Sequence, residues 1–132
     1  MKRALFGLVV VGLVIVPLGC NPFAPDQTVM LDVSNLAVPS TISGGSALTV
    51  TLTVVTGGCT SFTRIVAERS GSAASLTALG RNSAKGRPDI ACPADIRFEP
   101  HSYELDPPAQ GAFRVEARRP QSDPLSATVQ VQ

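Results

Sequence analysis

The sequence has little of what most metalloproteins and nucleic-acid-binding proteins need. Its 132 residues include one histidine, three cysteines and no tryptophan, and 11 basic side chains stand against 10 acidic ones. A surface without excess positive charge matches phosphate backbones poorly, so we expect no nucleic-acid partner. Zinc sites usually take four cysteine or histidine ligands, and blue-copper sites need two histidines. The composition therefore predicts no metal and no other cofactor.

Residues for catalysis are equally scarce. The one imidazole, His101, precedes Ser102, but neighbours on a strand point to opposite faces, so the two cannot act together as base and nucleophile. The sequence has no G-x-S-x-G motif to expose a serine and no glycine-rich phosphate loop. We expect His101 to be an exposed structural residue in a turn or at a strand edge. The sequence predicts no catalytic residue and a protein that is not an enzyme.

The first 19 residues have the pattern of an export signal. Lys2 and Arg3 precede an uncharged apolar stretch over 4–18, and the small residue Gly19 stands before Cys20. A positive start, an apolar run of about 7–15 residues and a small residue before the cut define a secretory signal peptide. A transmembrane helix is the alternative, but this run lies at the short limit of the roughly 20 residues that span a bilayer.

The end of this leader, Leu18-Gly19-Cys20, resembles the lipobox of bacterial lipoproteins, in which the cysteine carries diacylglycerol and becomes the acylated first residue. Pro17 and Leu18 depart from the residues that the family prefers. The resemblance implies a signal peptide over 1–19, a lipid anchor at Cys20 and an extracytoplasmic location on a bacterial membrane. Asn21 in place of aspartate resembles outer-membrane lipoproteins of double-membraned bacteria. Ordinary cleavage that leaves Cys20 unmodified is the alternative.

The two remaining cysteines are predicted to form a disulfide, Cys59 with Cys92. Exported proteins fold in an oxidising compartment, where an even number of cysteines, here the two that remain after Cys20, indicates a disulfide. A reactive or metal-binding thiol is the alternative, but the sequence has no C-x-x-C motif to support it. Residues 20–27 hold two prolines and no periodicity, which predicts a lipidated N-terminus and a tether.

Apolar and polar residues alternate over much of 28–132, which predicts strands with one buried and one solvated face. The clearest case is Ala47–Val55 (ALTVTLTVV), where four aliphatic side chains share one face and three threonines share the other. Two segments that could be helical by propensity, 64–69 and 73–79, are short and predicted to be strands. Clusters of Gly, Pro and Ser separate about seven such segments. We therefore expect an all-β fold, a single antiparallel β-sandwich of about seven strands.

Two segments resemble bacterial immunoglobulin-like domains. Residues 39–46 (PSTISGGS) are similar to the segment that leads into strand B, and residues 103–115 (YELDPPAQGAFRV) are similar to the closing hairpin, with Phe113 in place of the usual tyrosine. The resemblance implies an immunoglobulin-like sandwich over 28–132. Because Cys59 and Cys92 do not occupy the antibody cysteine positions, an antibody-type domain is not implied.

The function expected from these features is that of a monomeric, membrane-anchored lipoprotein, bound to lipid through acylated Cys20, whose domain is a binding or structural module. The alternative is an inhibitor or chaperone-like lipoprotein that presents the loop 80–92 to an envelope enzyme. Arg81, Lys85 and Arg87 make that segment basic, and loops on rigid scaffolds often carry recognition. A long solvated connection without a binding role is the other interpretation of the same loop.

Overall fold

A computed structural model describes residues 27–132, and all regular secondary structure in that range is β. The predicted signal peptide, Cys20 and most of the predicted tether lie outside the described residues. The strands, numbered in chain order, are β1 Thr28–Met30, β2 Val33–Ala37, β3 Thr41–Ile42, β4 Leu48–Thr56, β5 Thr60–Ser70, β6 Ala73–Asn82, β7 Arg97–Leu105, β8 Gly111–Ala117 and β9 Leu125–Val131.

The strands form two sheets, so the predicted all-β, two-layer architecture is confirmed. In the larger sheet, β5 pairs with β6, whose other side carries β1 and β8, and β9 and β3 continue outward from β8. The smaller sheet has the order β2-β4-β7. Within the described residues, β5 and β7 therefore each have one unpaired side.

Two details of the predicted sandwich differ from the structure. The described chain has nine strands rather than about seven, and two of the nine, β1 and β3, are only three and two residues long. The sheets are also not wholly antiparallel, since β6 pairs with β8 and β3 pairs with β9 in parallel. The chain leaves β6, crosses to the smaller sheet for β7, and returns at the end where β6 began, so β8 runs in the same direction as β6.

The core lies between the sheets and follows the predicted alternation. On β4, the four aliphatic residues of one face, Leu48, Val50, Leu52 and Val54, are completely buried. Phe113 on β8 is the largest fully buried side chain, with 1% of its surface exposed. Both segments of doubtful type, 64–69 and 73–79, are strands, within β5 and β6. Period-two patterning thus placed the core residues on the correct faces.

The segment that resembles a closing hairpin has a different geometry. Its two strand portions belong to β7 and β8, which lie in different sheets, so residues 103–115 cross from one sheet to the other. The last hairpin of the domain is β8–β9, which pairs from Gly111 with Val131 to Ala117 with Leu125.

Candidate functional site

Several of the predicted site residues meet at one end of the sandwich, which we call the Gln27 end. Here the carbonyl of Gln27 accepts a hydrogen bond from the N–H of Asn82 (2.9 Å), which is the last residue of β6. The Gly57-Gly58 turn between β4 and β5 lies at the same end, as does the loop 83–96 that leads into β7. The β5–β6 hairpin turn at Gly71-Ser72 marks the opposite end, about 30 Å away along the ten residues of β6.

The predicted disulfide between Cys59 and Cys92 is present, with 5.2 Å between the two Cα atoms. Cys59 immediately precedes β5, and Cys92 lies in the loop 83–96. The carbonyl of Cys59 also accepts hydrogen bonds from the N–H (3.0 Å) and the hydroxyl (3.3 Å) of Ser83. The disulfide and these hydrogen bonds hold both ends of this loop against the start of β5.

The predicted partner loop begins later than the sequence indicates. Residues 80–82 belong to β6, so the irregular segment starts at Ser83. Asn82 organises its first turn, because its side-chain oxygen accepts the N–H of Ala84 (3.0 Å) and its carbonyl accepts the N–H of Lys85 (3.2 Å). Consecutive turns follow, with the N–H of Arg87 bonded to the carbonyl of Ala84 (2.9 Å). The segment is thus a chain of turns rather than an open loop.

The three predicted basic residues have different positions. Arg81 lies on β6, and its guanidinium is 3.5 Å from the side-chain oxygen of Gln27. Lys85 donates from Nζ to the carbonyl of Thr28 (3.2 Å). Both cations therefore lie against the first residues of the domain, whereas Arg87 is exposed farther along the loop. None of the three forms an ion pair within residues 27–132.

A cavity of about 420 Å³ opens at the Gln27 end beside the disulfide. Its lining includes Gln27, Thr60, Ser61, Arg81, Ser83 and Arg97. Arg97 belongs to no motif that would identify it from the sequence, and it lines the cavity only because β7 starts beside β5. Arg97 is itself bound, at 3.2 Å, by the carboxylate of Asp95.

A second polar cluster joins β4 and β7. Thr56, only 3% exposed, donates its hydroxyl to Oε1 of Glu99 (2.7 Å), and Nε2 of His101 lies 3.3 Å from Oε2 of the same carboxylate. These two hydrogen bonds, the Thr56 bond first, hold the pKa of Glu99 below its ordinary value of 4.5. Both partners of Glu99 therefore favour its ionised form.

His101 is on a strand edge, as expected, but it is half-buried rather than exposed. Its ring stacks on Phe62 of β5, with the ring centres 3.6 Å apart and the planes inclined by 16°. Ser102 points to the other face, where its hydroxyl bonds to that of Thr51 (2.9 Å).

The described residues contain no group of three or more His, Cys, Asp or Glu side chains that could hold a metal ion.

Comparison with known proteins gives no relative: no family model, no curated protein and no solved structure matches the chain. Residues 27–132 contain no helix with the length and apolar character that a membrane crossing requires. A functional assignment has to come from the residues and their geometry.

Proposed function

We propose that this chain is an exported lipoprotein, anchored to a bacterial membrane through acylated Cys20, whose β-sandwich is a binding or structural module and not an enzyme. The observation that carries the proposal is the Cys59–Cys92 disulfide. A formed disulfide fits an oxidising compartment outside the cytoplasm, and it leaves Cys20 as the one unpaired cysteine, directly after the leader-like segment.

The fold proposed for this module is a variant of the immunoglobulin-like sandwich. The chain crosses between the sheets from β4 to β5 and again from β7 to β8, which resembles Greek-key connectivity. The order of β5 and β6 differs from that of the usual immunoglobulin-like sandwich. In the β5–β6 hairpin, the second strand, β6, lies beside β8 instead of the first strand, β5.

The chemistry of the described side chains supports a module over an enzyme. His101 is engaged by the Phe62 ring and the Glu99 carboxylate, and Glu99 is held in its ionised form. A general base works best with a pKa near the operating pH, whereas the pKa of Glu99 is shifted away from neutrality.

The alternative of an inhibitor or chaperone-like factor has weaker support. It would need Arg81, Lys85 and Arg87 to act together as one basic loop on a partner enzyme, but Arg81 lies on β6 and only Lys85 and Arg87 lie in the loop 83–96.

The experiment that tests the lipoprotein proposal is a measurement of the intact mass of the mature protein, isolated from a bacterium that exports it. We expect a chain that begins at Cys20 and carries the mass of attached acyl chains, and we expect Cys20→Ser to lose that mass and the membrane fraction together. A matched control, Cys59→Ser with Cys92→Ser, removes two cysteines and should keep the lipid. A mature chain that begins at Cys20 without added mass, or begins elsewhere, would contradict the proposal.

A further inference from the structure

The anchor and the Gln27 end are close by covalent geometry. Gln27, the first described residue, lines the cavity beside the disulfide, and it follows Cys20 by seven positions in the sequence. An extended chain covers at most about 3.6 Å per residue, so Gln27 lies within about 25 Å of the anchored residue. With acylated Cys20 in a bilayer, the tether limits the distance of the Gln27 end from the lipid more than that of any other part of the sandwich.

The exposed apolar side chains are found toward the same end. Among the large hydrophobic residues of 27–132, only three are exposed: Ile96 (68%), Phe98 (62%) and Met30 (39%). Ile96 precedes β7 and Phe98 is its second residue, so both lie beside the Gly57-Gly58 turn, and Met30 is three residues from Gln27. Ile96 and Phe98 are close together in sequence at the start of β7, whereas Met30 belongs to the other sheet. Exposed apolar side chains with polar surroundings are typical of protein or membrane contact sites.

Three cations of this end have no acidic partner, while two of its acids are bound by other groups. Arg81, Lys85 and Arg87 form no ion pair within the described residues. Asp95 accepts the N–H of Gly58 (2.8 Å) and binds Arg97, and Glu99 is bound by Thr56 and His101 as described above. Asp89 is the one acid of the loop 83–96 for which the structure shows no such partner. Arg81, Lys85, Arg87 and Arg97 exceed Asp89, Asp95 and Glu99 by one charge, and the three cations without an acidic partner are all exposed.

We propose that the Gln27 end is a membrane-docking surface. Ile96 and Phe98 enter the interfacial layer of the bilayer, and Arg81, Lys85 and Arg87 bind the phosphates of anionic lipids. This inference rests on the proposed function, because the anchor at Cys20 holds the domain within reach of the lipid. It also gives the basic loop a lipid partner, in place of the enzyme partner of the alternative function. Basic side chains next to an anionic leaflet each strengthen binding about fivefold.

The absence of tryptophan from the sequence makes a direct test possible. Phe98→Trp places a single fluorophore on the docking surface, and Ser72→Trp places one in the exposed hairpin at the opposite end, as a matched control. The lipidated mature protein is reconstituted into vesicles of phosphatidylcholine with phosphatidylglycerol, containing lipids brominated near the headgroup. We expect a blue-shifted, strongly quenched emission from Phe98→Trp and unquenched emission from Ser72→Trp. In the Phe98→Trp background, Arg81→Gln, Lys85→Gln and Arg87→Gln together should reduce the quenching to the level seen in pure phosphatidylcholine.

Equal quenching at the two positions, or none at Phe98→Trp, would overturn docking by this surface. Unchanged quenching in the triple variant would overturn the role of the cations. These results are separable from failure of the lipoprotein proposal. Should the mature chain carry no lipid, its free Cys20 thiol can be coupled to a maleimide lipid, and the same fluorescence comparison then tests docking alone.

Discussion

Removal of the Cys59–Cys92 disulfide should destabilise the domain mainly because the unfolded chain gains conformational freedom. The variant Cys59→Ala with Cys92→Ala deletes two small side chains, of which Cys92 is exposed and Cys59 half-buried, so little apolar burial is lost. The hydrogen bonds from Ser83 to the carbonyl of Cys59 use backbone atoms of residue 59 and remain possible. The folded loop should therefore keep its position.

The size of the effect follows from the loop that the bond closes. The two cysteines are 33 residues apart in sequence. In the chain-entropy model, a closed loop of that length removes about 3.7 kcal/mol of conformational freedom from the unfolded state at 25 °C. This is a large fraction of the stability of a typical small domain, which is about 5–15 kcal/mol.

Urea unfolding of the oxidised protein and the double variant measures the loss. With a slope of about 1–3 kcal/mol/M, the midpoint should fall by about 1–4 M urea. The slope has to be fitted separately for each protein, because an unfolded chain without the cross-link is more expanded. Wild-type protein in a thiol reductant should unfold like the double variant. A double variant as stable as the oxidised wild type, or two titratable thiols in freshly isolated protein, would refute the reasoning.

Three further predictions concern the turn, the core and the carboxylate cluster. Gly57→Ala should be severely destabilising, because an added Cβ would collide with the backbone of residue 95, whereas Gly71→Ala, also at positive φ but with open space around it, should cost only about 1 kcal/mol in thermal unfolding. Phe113→Ala should cost about 3–5 kcal/mol in urea unfolding because its ring is fully buried, while the exposed Phe98→Ala should change little; equal losses would contradict the assigned core. The lowered pKa of Glu99 means that its ionised form contributes stability above pH 4.5, and that this contribution is lost as the pH falls through its folded-state pKa. Melting temperatures between about pH 6 and pH 3 should therefore fall more steeply for wild type than for Glu99→Gln, and parallel curves would contradict the assignment.

The sequence is most informative where structure depends on neighbours along the chain. In β4, alternation predicts the strand and its buried face, because the side chains of a strand point to opposite sides in turn. Leu48 and Val54, at opposite ends of that face, are both completely buried. The parallel pairing of β6 with β8 depends instead on a connection through β7 in the other sheet, and no local pattern encodes it.

Gly80 explains why the loop after β6 begins later in the structure than the sequence indicates. Gly80, with Arg81, Asn82 and Ser83 after it, has the composition of a turn. Yet Gly80 is buried inside β6, where a Cβ would collide with the backbone of Ser61 on β5 and the side chain of Leu31. This glycine allows a close approach of chain segments rather than a turn, and only the tertiary structure distinguishes the two uses.

The candidate site likewise has one feature that the sequence predicts and others that depend on the tertiary structure. The disulfide could be predicted by counting, since an even remainder of cysteines in an exported chain indicates pairing. The presence of Arg97 and Arg81 around one cavity could not, because it requires β7 of one sheet to begin near β5 and β6 of the other. The hydrogen bond from Thr56 to Glu99 likewise joins residues 43 apart in sequence.

The contacts between β5 and β7 explain why the one histidine has a structural role. These strands form the facing edges of the two sheets, and in the described chain neither is paired on that side. Three kinds of contact link these strands or the segments next to them: the disulfide at the Gln27 end, which joins residues just before each strand, the stacked rings of Phe62 and His101, and hydrogen bonds from Arg69 to the carbonyls of Asp106 (2.9 Å) and Pro107 (3.3 Å) beyond the end of β7. Because unpaired edges invite association with other chains, these links help to shield the edges of β5 and β7. An imidazole committed to such a contact supports the proposal that the domain acts through its surface rather than by catalysis.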